Sequence, residues 1–106
     1  MEINTELSTD SNTLTINLSG KFDYTCHEDF LQCYENLKPT PSQFVIDALE
    51  LVSIDSSALG MLLLLRNHAG GDNSHIRIMN ASRDVCKLLA TCRFDDLFTL
   101  EPLQTH

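Results

Sequence analysis

The sequence predicts an α/β fold in which a mostly parallel sheet is preceded by an antiparallel pair of strands. Two segments near the N-terminus alternate with a period of two, and helical segments then alternate with strand-forming segments. The predicted order is ββαβαβαβ, and this alternation favours parallel strands joined by right-handed crossovers, with the helices packed on the sheet. A chain of 106 residues with 42% hydrophobic residues suits one core, so we expect a single domain over residues 1–106.

The N-terminal half changes from the period of a strand to the period of a helix. Alternation over residues 3–7 and 14–18, with turn residues between them, predicts the antiparallel pair, which ends at Gly20. Apolar side chains then recur with helical spacing from Tyr24 to Leu37, and the prolines that follow stop this helix.

The C-terminal half predicts three further strands and two further helices. Phe44–Ile46 is a short apolar run typical of a central strand, and residues 47–54 are expected to form a loop. The other predicted elements are a helix from Ser57 to His68, a strand from His75 to Met79, a helix capped by Ser82, a strand from Leu97 to Leu100, and a disordered tail at 104–106.

Charge and composition exclude several classes of function. Fifteen acidic residues against seven lysines and arginines give a net charge of -8, which argues against nucleic acid and anionic membranes as partners because both attract clustered cations. No apolar run reaches the roughly 18 residues of a membrane span, so we expect no direct membrane insertion. The N-terminus has no signal-peptide pattern and the four cysteines match no zinc motif, which predicts a cytoplasmic protein with reduced thiols, no metal and no cofactor.

The segment from Asp55 to Gly60 is the most informative, because two hydroxyls and a carboxylate stand where a loop enters a helix. One interpretation is a helix cap, since such side chains accept hydrogen bonds from the first backbone N–H groups. The other is a phosphorylation site, since a phosphate at a helix N-terminus meets those donors and the positive end of the helix dipole.

The helix that follows carries more apolar side chains than one core-facing stripe needs. Helical spacing assigns the core-facing stripe to Ala58, Leu59, Leu62, Leu63 and Arg66 and leaves Met61, Leu64 and Leu65 on the flanks. Neighbouring elements could cover these flanks, or they could form an exposed apolar patch that binds a partner. Gly60 lowers the helix propensity, and the close approach of another element or a partner would explain it.

Three segments in this order resemble the STAS domain family, and more narrowly the bacterial anti-sigma factor antagonists. They are Gly20-Lys21-Phe22-Asp23, Phe44-Val45-Ile46-Asp47 and Ile54-Asp55-Ser56-Ser57-Ala58-Leu59-Gly60. The family motif is Asp-Ser-Ser-Gly-Leu-Gly, so Ala58 is its one departure here. The resemblance extends from about Leu14 to Leu100 and implies a STAS fold.

The resemblance also implies a function as a phosphorylation switch without catalytic residues. It implies that a serine-kinase anti-sigma factor, or a related kinase, phosphorylates Ser56, with Ser57 as the second candidate. The unphosphorylated form would bind this kinase, and a serine phosphatase would reset the switch. Asp23 and Asp55 match acidic positions of the family. The expected contact surface comprises Asp23, Asp55, Ser57, Met61 and Leu64.

Two other functions are compatible with parts of the pattern. A STAS subunit of a lipid-transport complex of the ABC type, or another STAS scaffold, would bind a partner without a phosphorylation switch. A hydrolase would use Ser56 as a nucleophile, but Ser56 does not lie in a Gly-x-Ser-x-Gly elbow and no spacing places a base beside it. We therefore expect a binding protein and not an enzyme.

Overall fold

The structure is a computed structural model that describes residues 2–104, and its elements follow the predicted order ββαβαβαβ. The strands are β1 Glu2–Leu7, β2 Thr13–Phe22, β3 Gln43–Ile54, β4 Ile76–Ala81 and β5 Thr99–Pro102, and the helices are α1 His27–Gln32, α2 Ser56–His68 and α3 Arg83–Thr91. Of the tail that was predicted to be disordered, Gln104 is exposed and outside any element, and residues 105–106 lie outside the described residues.

The sheet has the predicted mixed topology. Its strand order is β1-β2-β3-β4-β5, with β1 antiparallel to β2 and the other neighbours parallel. Each parallel connection moves to the next strand in the same direction, so right-handed crossovers place all three helices on one face of the sheet.

The core lies between that face and the helices. The register aligns Leu14 with Phe44 and Ile76, and two residues further along it aligns Ile16 with Ile46 and Ile78. The side chains of both rows are buried. The helices contribute buried apolar side chains to the same cluster: Phe30 from α1, Ala58, Met61, Leu62 and Leu65 from α2, and Val85 and Leu89 from α3. The alternate side chains, on the opposite face, are mainly polar, and there Arg77 forms an ion pair of 3.2 Å with Glu101.

The prediction of a loop over residues 47–54 is wrong, because β3 continues without a break to Ile54. Its pairing with β2 shifts register twice, between Asn17 and Ser19 and between Gly20 and Lys21, so β3 has one extra residue at each place. Such bulges reverse the side-chain alternation of a strand, and the sequence pattern therefore loses its period of two.

The first helix is shorter than predicted. A 3-10 turn over Tyr24–Cys26 precedes α1, and the chain after Gln32 continues in turns instead of a helix to Leu37. Cys26, Phe30 and Tyr34 are buried as their spacing predicts. The remaining bounds differ from the predictions by a few residues: β2 ends at Phe22, β4 at Ala81 and β5 at Pro102.

The length of β2 and β3 positions the candidate site. β3 pairs with β4 only over Phe44–Asp47, but its pairing with β2 continues to Phe22 and Ile54. Asp23 and Asp55 follow these last paired residues directly, so both carboxylates lie at the same end of the sheet.

Candidate functional site

Asp55 is the residue that caps α2. Its backbone is extended and its carboxylate Oδ1 accepts a hydrogen bond of 3.0 Å from the Ala58 backbone N–H. The Ser57 hydroxyl donates a second hydrogen bond, of 2.7 Å, to the same oxygen. These hydrogen bonds hold the pKa of the Asp55 carboxyl below its ordinary value, and the bond from Ser57 has the largest effect. Asp55 is therefore an ionised cap at neutral pH.

Ser56 occupies the first helical position and is exposed. Among the described residues, no side chain or backbone group forms a hydrogen bond with its hydroxyl. The interpretation of this segment as a cap thus applies to Asp55, with Ser57 supporting it, and it does not account for Ser56.

Asp23 repeats this arrangement at the end of β2. Its Oδ1 accepts hydrogen bonds from the Thr25 hydroxyl, at 2.5 Å, and from the Thr25 backbone N–H, at 3.0 Å. These bonds lower the pKa of the Asp23 carboxyl, while the nearby negative charge of Asp55 opposes them. Within residues 2–104, no lysine, arginine or histidine forms an ion pair with either carboxylate. Within the described part of the chain, the two strand ends therefore form an acidic site without a cationic side chain as partner.

The exposed face of α2 is not the predicted one, because the helix is rotated about its own axis relative to the prediction. Met61 was expected on the contact surface, but its side chain is only 4% exposed and packs in the core. Leu64 is 50% exposed, as a contact residue must be. Leu63, which was assigned to the core, is exposed, and Leu65, which was assigned to a flank, is buried. The buried positions are spaced i, i+3, i+4 and i+7 from Ala58, which is the pattern of a single core-facing stripe.

The correct phase was hidden because Met61–Leu65 is an unbroken apolar run. Any stripe drawn through such a run has apolar residues at its core positions, so spacing alone does not select one. Helix α2 is then anchored by Ala58, Met61, Leu62 and Leu65, and the exposed side carries Ser56, Gly60, Leu63 and Leu64.

Three further residues that lie close to Asp23 or Asp55 in the sequence were not singled out as site residues. Thr25 orients Asp23, and the Asp-x-Thr spacing typical of a turn could have identified it. Tyr24, the residue after Asp23, is 73% exposed, and Val52, three residues before Asp55, is 70% exposed. Exposed apolar side chains of this size next to a polar site are typical of binding surfaces.

The described part of the chain offers no cluster of three histidine, cysteine, aspartate or glutamate side chains that could hold a metal ion. Across residues 2–104, no helix is both long enough and apolar enough to cross a membrane.

Comparisons with known proteins show to which family the chain belongs. A family model described as "Mlab, STAS domain" matches residues 5–102. A STAS-domain containing protein of Pseudomonas aeruginosa strain UCBPP-PA14 is 47% identical over 93 residues, which are 88% of this chain and 92% of that protein.

Solved structures from different functional classes share the fold. An anti-sigma factor antagonist of Mycobacterium paratuberculosis has a TM-score of 0.73 at 17% identity, covering 95% of this chain and 86% of the other. A sulfate transporter family protein of Wolinella succinogenes has a TM-score of 0.72 at 11% identity, covering 91% and 86%. The Bacillus cell fate determinant SpoIIAA, in its phosphorylated form, has a TM-score of 0.67 at 16% identity, covering 93% and 90%. With the family model matching nearly the whole length, this chain belongs to the STAS domain family, and its fold is that of the anti-sigma factor antagonists.

Proposed function

We propose that this chain is a phosphorylation-switched regulator that acts by protein binding, like an anti-sigma factor antagonist. In its unphosphorylated form it binds a serine-kinase anti-sigma factor or a similar regulator. Phosphorylation of Ser56 by that kinase releases the complex, and a serine phosphatase restores binding. STAS domains are regulatory and binding domains, so the proposal requires no catalytic residue and no cofactor in this chain.

The observation that carries this proposal is the separation of roles between Asp55 and Ser56. Asp55 supplies the cap of α2, and Ser57 donates to Asp55. The exposed Ser56 hydroxyl has no such role within the described residues. A kinase can therefore modify Ser56 without removing a hydrogen bond on which the fold depends.

A phosphate on Ser56 would change the surface more than the fold. It would add about -1.5 to -2 charges beside Asp55 and near Asp23, at a helix N-terminus that tolerates negative charge. One new like-charge contact near a surface costs on the order of 1–3 kcal/mol, which corresponds to a roughly ten- to hundredfold loss of affinity. A partner that contacts this acidic site with an acidic or apolar surface of its own would then be released without unfolding of the chain.

Two of the solved relatives support this assignment. One is named as an anti-sigma factor antagonist and another was solved in a phosphorylated form. Their sequence identities to this chain are 17% and 16%, so by themselves they support only the fold. They support the proposed switch only in combination with the geometry at Ser56.

Phosphopeptide mapping tests the acceptor. The purified chain and its Ser56→Ala and Ser57→Ala variants would be incubated with labelled ATP and kinase fractions from the source cells. We expect label in the wild type and in Ser57→Ala and none in Ser56→Ala. Label that persists in Ser56→Ala and disappears in Ser57→Ala would move the site to Ser57.

A second experiment tests the switch. Ser56→Ala and Ser56→Asp baits would be compared for the proteins that they retain, with Ser11→Asp as a charge-matched control. Ser11 is exposed in the β1–β2 turn, at the opposite end of β2 from Asp23. We expect the Ala bait and the Ser11→Asp bait to retain a serine kinase that the Ser56→Asp bait loses.

The second candidate is a STAS subunit of a lipid-transport complex of the ABC type, or a STAS scaffold without a switch. It is favoured by the family model, whose description is not that of an anti-sigma factor antagonist, and by the similarity to a sulfate transporter family protein. In that case the Ser56→Ala and Ser56→Asp baits would retain the same transport subunit equally.

A further inference from the structure

The outer edge of β1 offers backbone groups that a further strand could pair with. β1 is an end strand of the sheet, and within residues 2–104 it pairs only with β2. It contains neither proline nor lysine, and its pairing with β2 has no bulge. The opposite end strand, β5, has four residues and ends at Pro102. Because shortness and proline protect an edge from pairing, β1 is the less protected of the two edges.

The hydrogen bonds of the β1–β2 turn show which backbone groups of β1 point outward. The Ser8 N–H donates to the Thr13 carbonyl at 2.9 Å, and this pair extends the register of β1 with β2. Opposite residues of antiparallel strands alternate between pairs that exchange hydrogen bonds and pairs that do not. The N–H and C=O groups of Ile3, Thr5 and Leu7 therefore face away from β2.

The side chains of these three residues lie on the helix side of the sheet, since their partners on β2 are the buried Leu18, Ile16 and Leu14. Ile3 packs against the core, whereas Leu7 is 45% exposed. An open groove runs beside this edge, and it is lined by Ile3, Thr5, Asp29, Gln32, Cys33 and Leu37. The edge thus combines free backbone groups, an exposed leucine and a groove in which an apolar side chain can be buried.

We propose that a second copy of this chain pairs with β1 in the antiparallel direction, about a two-fold axis at Thr5, so that the two sheets become one continuous sheet. In this register Thr5 lies opposite Thr5 of the second copy, and Ile3 of each copy lies opposite Leu7 of the other. The outward-facing groups then exchange hydrogen bonds. Each Leu7 side chain enters the groove of the other copy beside Ile3. The contact includes no residue of the candidate phosphorylation site.

Charge selects this register and makes the strand complementary to itself. With the axis at Thr5, Asn4 of each copy lies opposite Glu6 of the other, and an amide can donate to a carboxylate there. An axis at Asn4 would place Glu2 opposite Glu6, and an axis at Glu6 would place two glutamates opposite each other. Like charges directly opposite destabilise a pair of strands. The strand that suits β1 in both its apolar and its polar positions is therefore β1 itself.

Sedimentation equilibrium over a concentration series tests the dimer. We expect the wild type to dimerise, and more tightly as salt is added, because salt screens the repulsion between two copies that each carry a net charge of -8. Thr5→Pro removes an outward N–H without removing a bond to β2, and it should be monomeric. Leu7→Lys should raise the dissociation constant at least tenfold. The charge-matched control, Leu88→Lys at a position 37% exposed on α3, should stay within twofold of the wild type.

Disulfide crosslinking tests the register, in a Cys92→Ser background that lacks the exposed native thiol. Opposite residues that exchange hydrogen bonds have Cα atoms about 5.5 Å apart, which a disulfide can span. Thr5→Cys should therefore give a linked dimer under mild oxidation. Asn4→Cys should not, because its two copies are diagonal neighbours about 7–8 Å apart. Linkage of Asn4→Cys without linkage of Thr5→Cys would overturn the register.

The remaining outcomes decide the dimer separately from the proposed switch. A wild type that stays monomeric at every protein and salt concentration would overturn it. A dimer that persists in both Thr5→Pro and Leu7→Lys would overturn it too, since its interface would then lie elsewhere. Circular dichroism checks that the variants are folded, and Leu7→Lys and the crosslinks decide the matter if Thr5→Pro is not. Because no measurement here involves Ser56, failure of the dimer leaves the switch standing, and failure of the switch leaves the dimer standing.

Discussion

At the scale of single residues, the two acidic side chains of the site are built in the same way. Asp23 and Asp55 each follow the last residue of a long strand and accept hydrogen bonds from a hydroxyl two residues ahead. Each also accepts a backbone N–H at the start of the helical turn that follows. The hydrogen bonds that fix these carboxylates also keep them ionised, so structural and electrostatic roles coincide.

Removing the cap tests the role of Asp55. We expect Asp55→Ala to lower the melting temperature by several degrees, because the first N–H groups of α2 lose their side-chain acceptor. Asp55→Asn keeps an acceptor oxygen and should restore most of the loss. Thermal unfolding followed by circular dichroism measures both variants. Equal melting temperatures for Asp55→Ala and the wild type would contradict the cap.

The pKa of Asp55 provides a second test at this scale. The Ser57 hydroxyl is the largest cause of its lowered pKa, so Ser57→Ala should raise the pKa of Asp55 towards its ordinary value. A carboxylate with a lowered pKa stabilises the fold above its unfolded pKa of about 3.9, and this stabilisation is lost as the pH falls through the folded pKa. Ser57→Ala should therefore be less stable than the wild type at pH 7, and the difference should disappear in acid.

Carboxyl NMR titration of the wild type and the serine variants measures this effect directly. Ser56→Ala is the control, because Ser56 is not among the causes of the shift. An unchanged titration of Asp55 in Ser57→Ala would show that the hydrogen bond of 2.7 Å does not persist in solution.

The sequence singled out the segment at the start of α2 but did not distinguish the individual roles of its residues. Asp55, Ser56 and Ser57 all have the acceptor oxygen that a cap needs, so residue type alone left open which of them caps α2. The backbone decides it, because only Asp55 has the extended conformation of a cap, and Ser56 begins the helix.

At the scale of elements, the rotation of α2 about its axis determines which of its leucines are exposed to a partner. Ala58, Met61, Leu62 and Leu65 face the core and fix the rotation of the helix. The opposite side then has two exposed leucines, Leu63 and Leu64, in line with Ser56 and Gly60. A contact surface centred on Leu64 is consistent with this phase, whereas one that includes Met61 is not.

A pair of alanine variants tests that phase. Met61→Ala should lower the free energy of unfolding by about 2–4 kcal/mol, because it removes a buried side chain and leaves a cavity. Leu64→Ala should change the free energy of unfolding by no more than about 0.5 kcal/mol, because Leu64 is half exposed. Urea denaturation measures both. Similar losses for the two variants would mean that α2 is rotated from its position here.

The predicted bounds of an element agree with the structure where the apolar side chains keep a regular period. They differ from it where that period is broken. Leu14, Ile16 and Leu18 alternate cleanly and were assigned correctly to a half-buried strand. In β3 the two bulges place Leu49 and Val52 on the exposed side among polar residues. Bulges depend on pairing with a neighbouring strand, so a single segment read alone contains no signal for them.

At the scale of the whole molecule, the topology brings the site together from residues 32 positions apart. Because β2 and β3 are parallel neighbours, their carboxyl ends meet, and Asp23 and the start of α2 lie side by side. The core occupies only the helix side of the sheet. The proposed phosphorylation site therefore lies at one end of the sheet, outside the core, where a change of charge would require no repacking.

This separation leads to a prediction for the whole fold. Ser56→Asp places a negative charge at the first position of α2, where the helix dipole favours it by about 0.3–1 kcal/mol, while the nearby Asp55 opposes it. These effects nearly cancel, so the melting temperature should stay within a few degrees of the wild type. Amide chemical shifts should change near Asp23 and residues 55–60 and stay constant in β4 and α3. Shifts that spread through the core would show instead that the charge acts by altering the fold, and release of the partner would then be a conformational change and not a surface repulsion.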